Sequence, residues 1–241
     1  WPRQQQRMPT VFSSEGEVHM EYVIKRVSST PQLCGDWEGR AWSRANTLSV
    51  DRFRQEGSTH RPRTNVRVLY DDTALYGIFR VEDRYVTCIR TGFQNQVCKD
   101  SCVEFFVQPK PEGGGYFNFE FNCGGAFLTY FIRDWQRGDR GFRDYTPLTE
   151  EDSRGIAVYH SMPSIVKPEI QEDVTWTLEF RIPLFLIAKY AGVPGALSGQ
   201  CWKGNFYKCA GDSTHPHYGA WSPVDAVNFH MPRCFGELRF E

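Results

Sequence analysis

Three histidines lie near the end of the chain: His215 and His217 in the stretch HPHYGAW, and His230 in NFHMP. An imidazole can bind a metal, move a proton or hydrogen-bond a ligand, so its neighbours decide between these uses. HxH on an extended segment puts His215 and His217 on one side, where Asp212 and His230 could complete a transition-metal set. Pro216 breaks strand regularity there, and the spacing is generic. A haem held by His230 with Met162 or Met20 is a second arrangement; Met231 cannot be the partner, because adjacent strand residues face opposite ways. The third reading makes His217 and His230 hydrogen-bonding groups in a pocket beside Tyr218, Trp221 and Phe229.

Glu104 in SCVEFFVQP and Glu120 in GGGYFNFEFNCGG are the other pair able to do chemistry. If their strands pair, the carboxyls could approach the separation of about 5–10 Å used in glycoside hydrolysis. No GxSxG, P-loop or HExxH motif occurs. Asp71, Asp72 and Asp83 sit at turn edges, where carboxylates and backbone carbonyls make calcium sites or simply cap turns.

Strands must position these groups. NVRVLYD (65–71) and ALYGIFRVED (74–83) read as a hairpin, and 101–109, 113–125, 174–183, 202–209 and 236–240 as further strands. One short helix, LFLIAKYAG, follows Pro183 and ends at Gly192. Many short strands with Gly/Pro-rich turns predict an all-β fold, a two-sheet antiparallel β-sandwich. Residues 1–16 read as a loose arm before a single domain over 17–241. The charged stretch 133–155 reads as a long surface loop on which Trp135 could form a mobile platform. Alternation turns Phe117, Phe119 and Phe121 one way and Asn118, Glu120 and Asn122 the other, so the polar row should lie on an outer face. Such a row suits a polyol, and any solvated sheet face also shows one.

The formal net charge of −1 gives no steering toward nucleic acid, and no apolar run is long enough to span a membrane. The eight cysteines form no CxxC pair, and apolar surroundings suggest mostly free thiols.

The segments TNVRVLYDDTALYGIFRVED, KDSCVEFFVQP, YFNFEFNCGG, WTLEFRIP and AWSP…FHMPRCFGELRF occur in an order that resembles the family 9 carbohydrate-binding modules, from about Arg63 to Phe240. The resemblance implies a two-sheet antiparallel sandwich that binds sugars, attached to enzymes that degrade plant polysaccharides, with calcium in some members. It matches Asp100 and Glu104 to the family's acidic pair, Asn122 to its strand-end asparagine and Asn205 to the corresponding strand. Two tryptophans that clamp the sugar are missing: Phe93 and Phe229 stand nearest to their places, and Glu120 replaces an arginine.

The expectation is non-catalytic carbohydrate binding by Glu104, Glu120, Asn122 and Asn205, with His217, Trp221, Phe229 and His230 at the rim. Calcium at Asp71 and Asp83 and an extracytoplasmic role in polysaccharide utilisation go with the resemblance. The alternatives are a hydrolase using Glu104 and Glu120, or a sandwich with no small ligand.

Overall fold

Period-two alternation becomes sixteen strands in the computed structural model, which describes residues 20–139, 141–192 and 195–241. The arm expected over 1–16 lies outside the described residues. In chain order the first strands are β1 (Glu21–Arg26), β2 (Leu48–Val50), β3 (Arg52–Phe53), β4 (Arg63–Tyr70), β5 (Ala74–Asp83) and β6 (Val86–Cys88). The middle of the chain forms β7 (Cys102–Gln108), β8 (Tyr116–Asn122), β9 (Phe127–Gly138), β10 (Gly141–Pro147) and a one-turn helix α1 (Glu150–Ser153). Then come β11 (Ala157–His160), β12 (Val166–Ile170), β13 (Val174–Pro183), helix α2 (Leu184–Ala191), β14 (Cys201–Cys209), β15 (Tyr218–Ala220) and β16 (Gly236–Phe240).

Two layers result. The first runs β10-β9-β8-β7-β14-β16, with β15 sharing the outer edge of β14; the second runs β4-β5-β13-β11. The β1 strand joins both, pairing with β16 through Glu21–Ile24 and with β4 through Lys25 and Arg26, in parallel each time. The sandwich is therefore mixed rather than purely antiparallel. A parallel partner arrives from a distant part of the chain, and local alternation carries no sign of it.

The inner faces meet over aromatic rings. Phe105 stacks on Phe206 with centroids 4.8 Å apart, and Phe180 reaches across from the other layer to stack on Phe121 at 5.4 Å. The Phe180 ring occupies the space above Gly77, its cross-strand partner: a β-carbon there would sit 2.1 Å from the ring. Glycine at that position leaves room for the ring that links the layers.

Two parts of the fold differ from expectation. The stretch 133–155 is mostly a hairpin of β9 and β10, followed by α1, which Thr149 and Asp152 close with a capping box. Its outer end projects into solvent, where no apolar alternation is needed, so the sequence lacks a strand signature. The polar row on β8 is also not solvated. Every residue of β7 and β8 is buried, because β10 and segment 221–235 lay a second apolar layer on the outward face. Phe142 from β10 and Val224, Met231 and Phe235 from the segment form that layer with Phe106, Tyr116 and Tyr207.

Gly77→Ala should destabilise the protein by about 1–3 kcal/mol, the usual cost of forcing a carbon into a packed core. A urea unfolding midpoint measures it; an unchanged midpoint would contradict the packing described.

Candidate functional site

The second layer does not close completely. Over the outward face of β7, β8 and β14 it leaves a cleft of about 360 Å³ whose wall includes Glu104, Glu120, Cys209, Tyr218, Phe229 and His230. Glu104 and Glu120 are directly opposed in the β7–β8 register, which brings the two carboxyls together as the alternation predicts. Asn118 Nδ2 donates to Glu120 Oε1 at 2.8 Å. Glu104 Oε1 accepts from the Cys209 thiol at 3.2 Å, while Glu104 Oε2 is buried with no hydrogen-bond partner. Burial raises the Glu104 carboxyl well above the usual carboxylate range, with Cys209 and Glu120 pushing the same way. Burial also pushes Glu120 up to about 7, against the Asn118 bond and the Arg137 charge.

Phe229 lies face to face with Tyr207, centroids 4.0 Å apart, and its carbonyl accepts from the Tyr207 hydroxyl at 3.0 Å. The ring is thus held from behind at the cleft wall. His230 Nδ1 meets the Tyr116 hydroxyl at 2.9 Å, and its ring packs against Phe142. Burial, and then Arg137, lower its pKa to about 3, so the imidazole is neutral at neutral pH.

Four other expected residues lie elsewhere. Asn122 bonds the Arg90 carbonyl at 2.7 Å and Asp100 Oδ2 at 2.9 Å, and accepts from the Ala126 amide, so it secures the β8–β9 turn. Asp100, matched with Glu104 to the family's acidic pair, is ion-paired to Arg90 at 2.7 Å. Asn205 bonds the carbonyl of Ser222 and accepts that residue's amide, which ties the covering segment to β14. Trp221 is buried against Phe206 and Gly236. His217 is fully buried: its Nε2 accepts from Lys208 Nζ at 2.7 Å, and Nδ1 donates to the His215 carbonyl at 2.9 Å. Burial and Lys208 lower its pKa to about 3. Phe93 packs on Phe127 and is not part of the cleft wall, and Trp135 packs at the border of the second layer on β9.

The proposed four-residue metal set does not assemble. His215 stacks on Tyr85 at 3.6 Å, Asp212 pairs with Arg90, and His217 and His230 are occupied as described. Met162 belongs to the inner core and Met20 packs against it, whereas His230 sits in the outer layer, so the haem arrangement does not form. Asp71 and Asp83 do not fit calcium. Asp71 accepts from Thr73, Ala74 and Tyr76, as a turn cap does. Asp83 meets Lys208 Nζ at 3.2 Å and His60 Nε2 at 2.8 Å, so an ammonium and an imidazole already occupy its oxygens. Burial alone would raise the Asp83 carboxyl; Lys208, His60 and His217 hold it well below the usual range instead. The two aspartates also stand at opposite ends of β5, about 30 Å apart at strand rise.

Sequence reasoning missed Arg137, Lys99 and Asn228, and weighed Asp212 only as a metal ligand; all four lie on the cleft wall with Tyr218. Arg137 lies on the hairpin expected to be a loop, its guanidinium 4.1 Å from the Phe142 ring centre. Tyr218 stands inside HPHYGAW itself, one residue from a histidine whose ring points inward.

Comparison with known proteins comes from two directions. The model of carbohydrate-binding family 9 matches residues 41–240. A protein from Bacteroides uniformis, provisionally described as carbohydrate-binding, superposes with a TM-score of 0.79 at 25% identity, over 92% of this chain and 100% of that one. A family 9 module from Caldicellulosiruptor kristjanssonii, solved with glucose and with cellotriose, gives 0.63 at 13% identity over 92% of this chain and 96% or 94% of that one. The latter likeness is one of fold. No curated protein matches the chain.

Two consequences are measurable by unfolding. Lys208→Ala leaves Asp83 as an uncompensated buried charge and should cost about 3–5 kcal/mol; a loss below 1 kcal/mol would contradict the pairing. Glu120 has a folded pKa raised above its unfolded value, so its contribution to stability is present below about pH 4.5 and is lost as pH rises through about 7. Glu120→Gln should therefore match the wild type near pH 4.5 and exceed it at pH 8 by up to about 3 kcal/mol.

Proposed function

The chain belongs to carbohydrate-binding family 9, and from that premise we propose that the cleft on the outward face of β7 and β8 binds a carbohydrate without cleaving it. The observation that carries this reading is Glu104 Oε2, a buried oxygen on the cleft wall with no partner. A buried polar atom left alone costs about 1–3 kcal/mol, which a ligand hydroxyl would recover. A protonated Glu104 can donate one bond and accept another, the pattern that sugar hydroxyls and ring oxygens present. Phe229 and Tyr218 supply flat apolar surface for the C–H face of a sugar ring, and Lys99, Arg137, Asn228 and Asp212 supply polar groups at the rim.

Volume and charge support the same reading. A cleft of about 360 Å³ is at the small end of ligand sites, which suits a short saccharide or a chain end. Hydrolysis needs one carboxyl ionised as base or nucleophile. Burial raises both carboxyls, and as direct cross-strand neighbours they sit side by side on one wall instead of flanking a bond, so the pair is better suited to hydrogen bonding. Calcium, which accompanies some family members, is not required at Asp71 or Asp83. No described helix is long and apolar enough to cross a membrane. An extracytoplasmic place in polysaccharide use fits the resemblance to modules attached to enzymes that degrade plant polysaccharides.

A thermal-shift and calorimetric panel of glucose, cellotriose and other mono- and oligosaccharides tests this. At 100 times its dissociation constant a true ligand adds about 2.7 kcal/mol. Phe229→Ala should weaken binding at least about tenfold, or 1.4 kcal/mol, with no new sugar product in either protein. Trp221→Ala should lower stability by about 3–5 kcal/mol as a core truncation. A panel with no hit, or a Phe229→Ala protein that binds as tightly as wild type, would overturn the assignment.

A further inference from the structure

In the floor of the same cleft Glu104, the carboxyl that the proposed sugar meets, stands beside two thiols that carbohydrate binding does not use. Cys102 on β7 and Cys209 on β14 are direct cross-strand partners, and Glu104, two residues on from Cys102, shares their face. We propose that Cys102, Cys209 and Glu104 form a thiolate metal site in the cleft floor, for one divalent cation of the zinc class.

The geometry fits such an ion. One ligand atom from each residue lies within 4.8 Å of the other two. Glu104 Oε1 is 3.2 Å from Cys209 Sγ and 3.9 Å from Cys102 Sγ. Tetrahedral zinc with bonds near 2.3 Å to sulfur and 2.1 Å to oxygen needs sulfur–oxygen separations of about 3.6 Å. The two observed distances bracket that value, so side-chain adjustment of a few tenths of an ångström suffices and the strands need not move.

The donor chemistry selects the metal. Two sulfurs and one carboxylate suit zinc and similar borderline ions and disfavour calcium or magnesium, which take oxygen. All three residues are buried on neighbouring rigid strands, which presets the site before any ion arrives. The unpartnered Glu104 Oε2 is a buried acceptor at the same spot, the oxygen that the sugar reading also uses. Glu104 and Cys209 line the cleft, so a fourth coordination position would open into it, where water or a ligand oxygen could bind. Two thiolates and a carboxylate around a dication leave one net negative charge, and Lys99 and Arg137 line the same cleft. No other group of three His, Cys, Asp or Glu side chains among the described residues lies close enough to hold an ion.

The test uses the full chain, fully reduced and metal-free, titrated with cobalt(II) and then zinc(II). One cobalt per chain should bind with thiolate-to-cobalt charge-transfer absorption, and zinc should displace it. Cys102→Ser and Cys209→Ser should each lower cobalt affinity at least tenfold and reduce that absorption, with circular dichroism and the thermal midpoint confirming a folded protein. Serine at the exposed Cys34 and Cys201 should change neither. A folded, reduced wild type without thiolate–cobalt absorption would overturn the proposal, as would a Cys102→Ser/Cys209→Ser double variant that keeps it. Sugar binding is measured on the same metal-free protein, so a cleft that takes sugar but no cobalt would refute the metal site alone.

Discussion

The outward face of β7, β8 and β14 carries Glu104, Asn118, Glu120, Asn122 and Asn205, and β10 with segment 221–235 removes that face from water. An amide or carboxyl placed there must replace its bonds to water or cost about 1–3 kcal/mol. Most of them do so. Asn118 holds the Tyr130 amide and Glu120, Asn122 holds the turn beyond β8, and Asn205 holds the covering segment itself. Glu104 does so with one oxygen and not the other. The same requirement that turns three amides into structural ties leaves one carboxyl oxygen free at the edge of the cleft. Structure and candidate function are thus two outcomes of one constraint, separated by which groups found partners.

A second buried polar group shows the constraint satisfied by charge. Lys208 comes from the layer of β14 and Asp83 from the end of β5 in the other, so their ion pair ties the two layers. His217 takes a further ammonium proton and His60 covers the second carboxylate oxygen. The HPHYGAW segment is therefore divided. His217 belongs to this interlayer network, His215 stacks on Tyr85, and Tyr218 turns to the cleft wall. Alternation about a strand accounts for the opposite destinations of His217 and Tyr218.

The all-β class, the inner core rows and the meeting of Glu104 with Glu120 were legible because each follows from side chains alternating along adjacent strands. Helix α2 was legible for the same local reason, with Pro183 at its start and Gly192 at φ 61° at its end. Phe229 and His230, named from their place next to a closing motif, line the cleft. The amides were not separable in this way. A polar residue that binds a ligand and one that binds a turn have the same pattern in sequence, and only the partner tells them apart. The parallel pairing of β1 and the cover formed by 221–235 depend on contacts distant in the chain. That cover turns Asn205 and Trp221, expected in the site and at its rim, into interior residues and leaves Arg137 at the rim. The missing tryptophan clamp was legible; the aromatic rings on the cleft wall are Phe229, backed by Tyr207, and Tyr218.

The central claim is one of place: a saccharide binds over Glu104, between Phe229 and Tyr218. Backbone amide NMR during titration with a sugar that stabilises the protein tests it most directly. The account predicts shifts concentrated at residues 98–104, 118–120, 209–218 and 227–230. A larger recess of about 550 Å³ lies beyond the same covering segment, lined by Lys203, Asp225, Arg233 and Glu237. Shifts centred there, with Glu104 and Phe229 unmoved, would contradict the account.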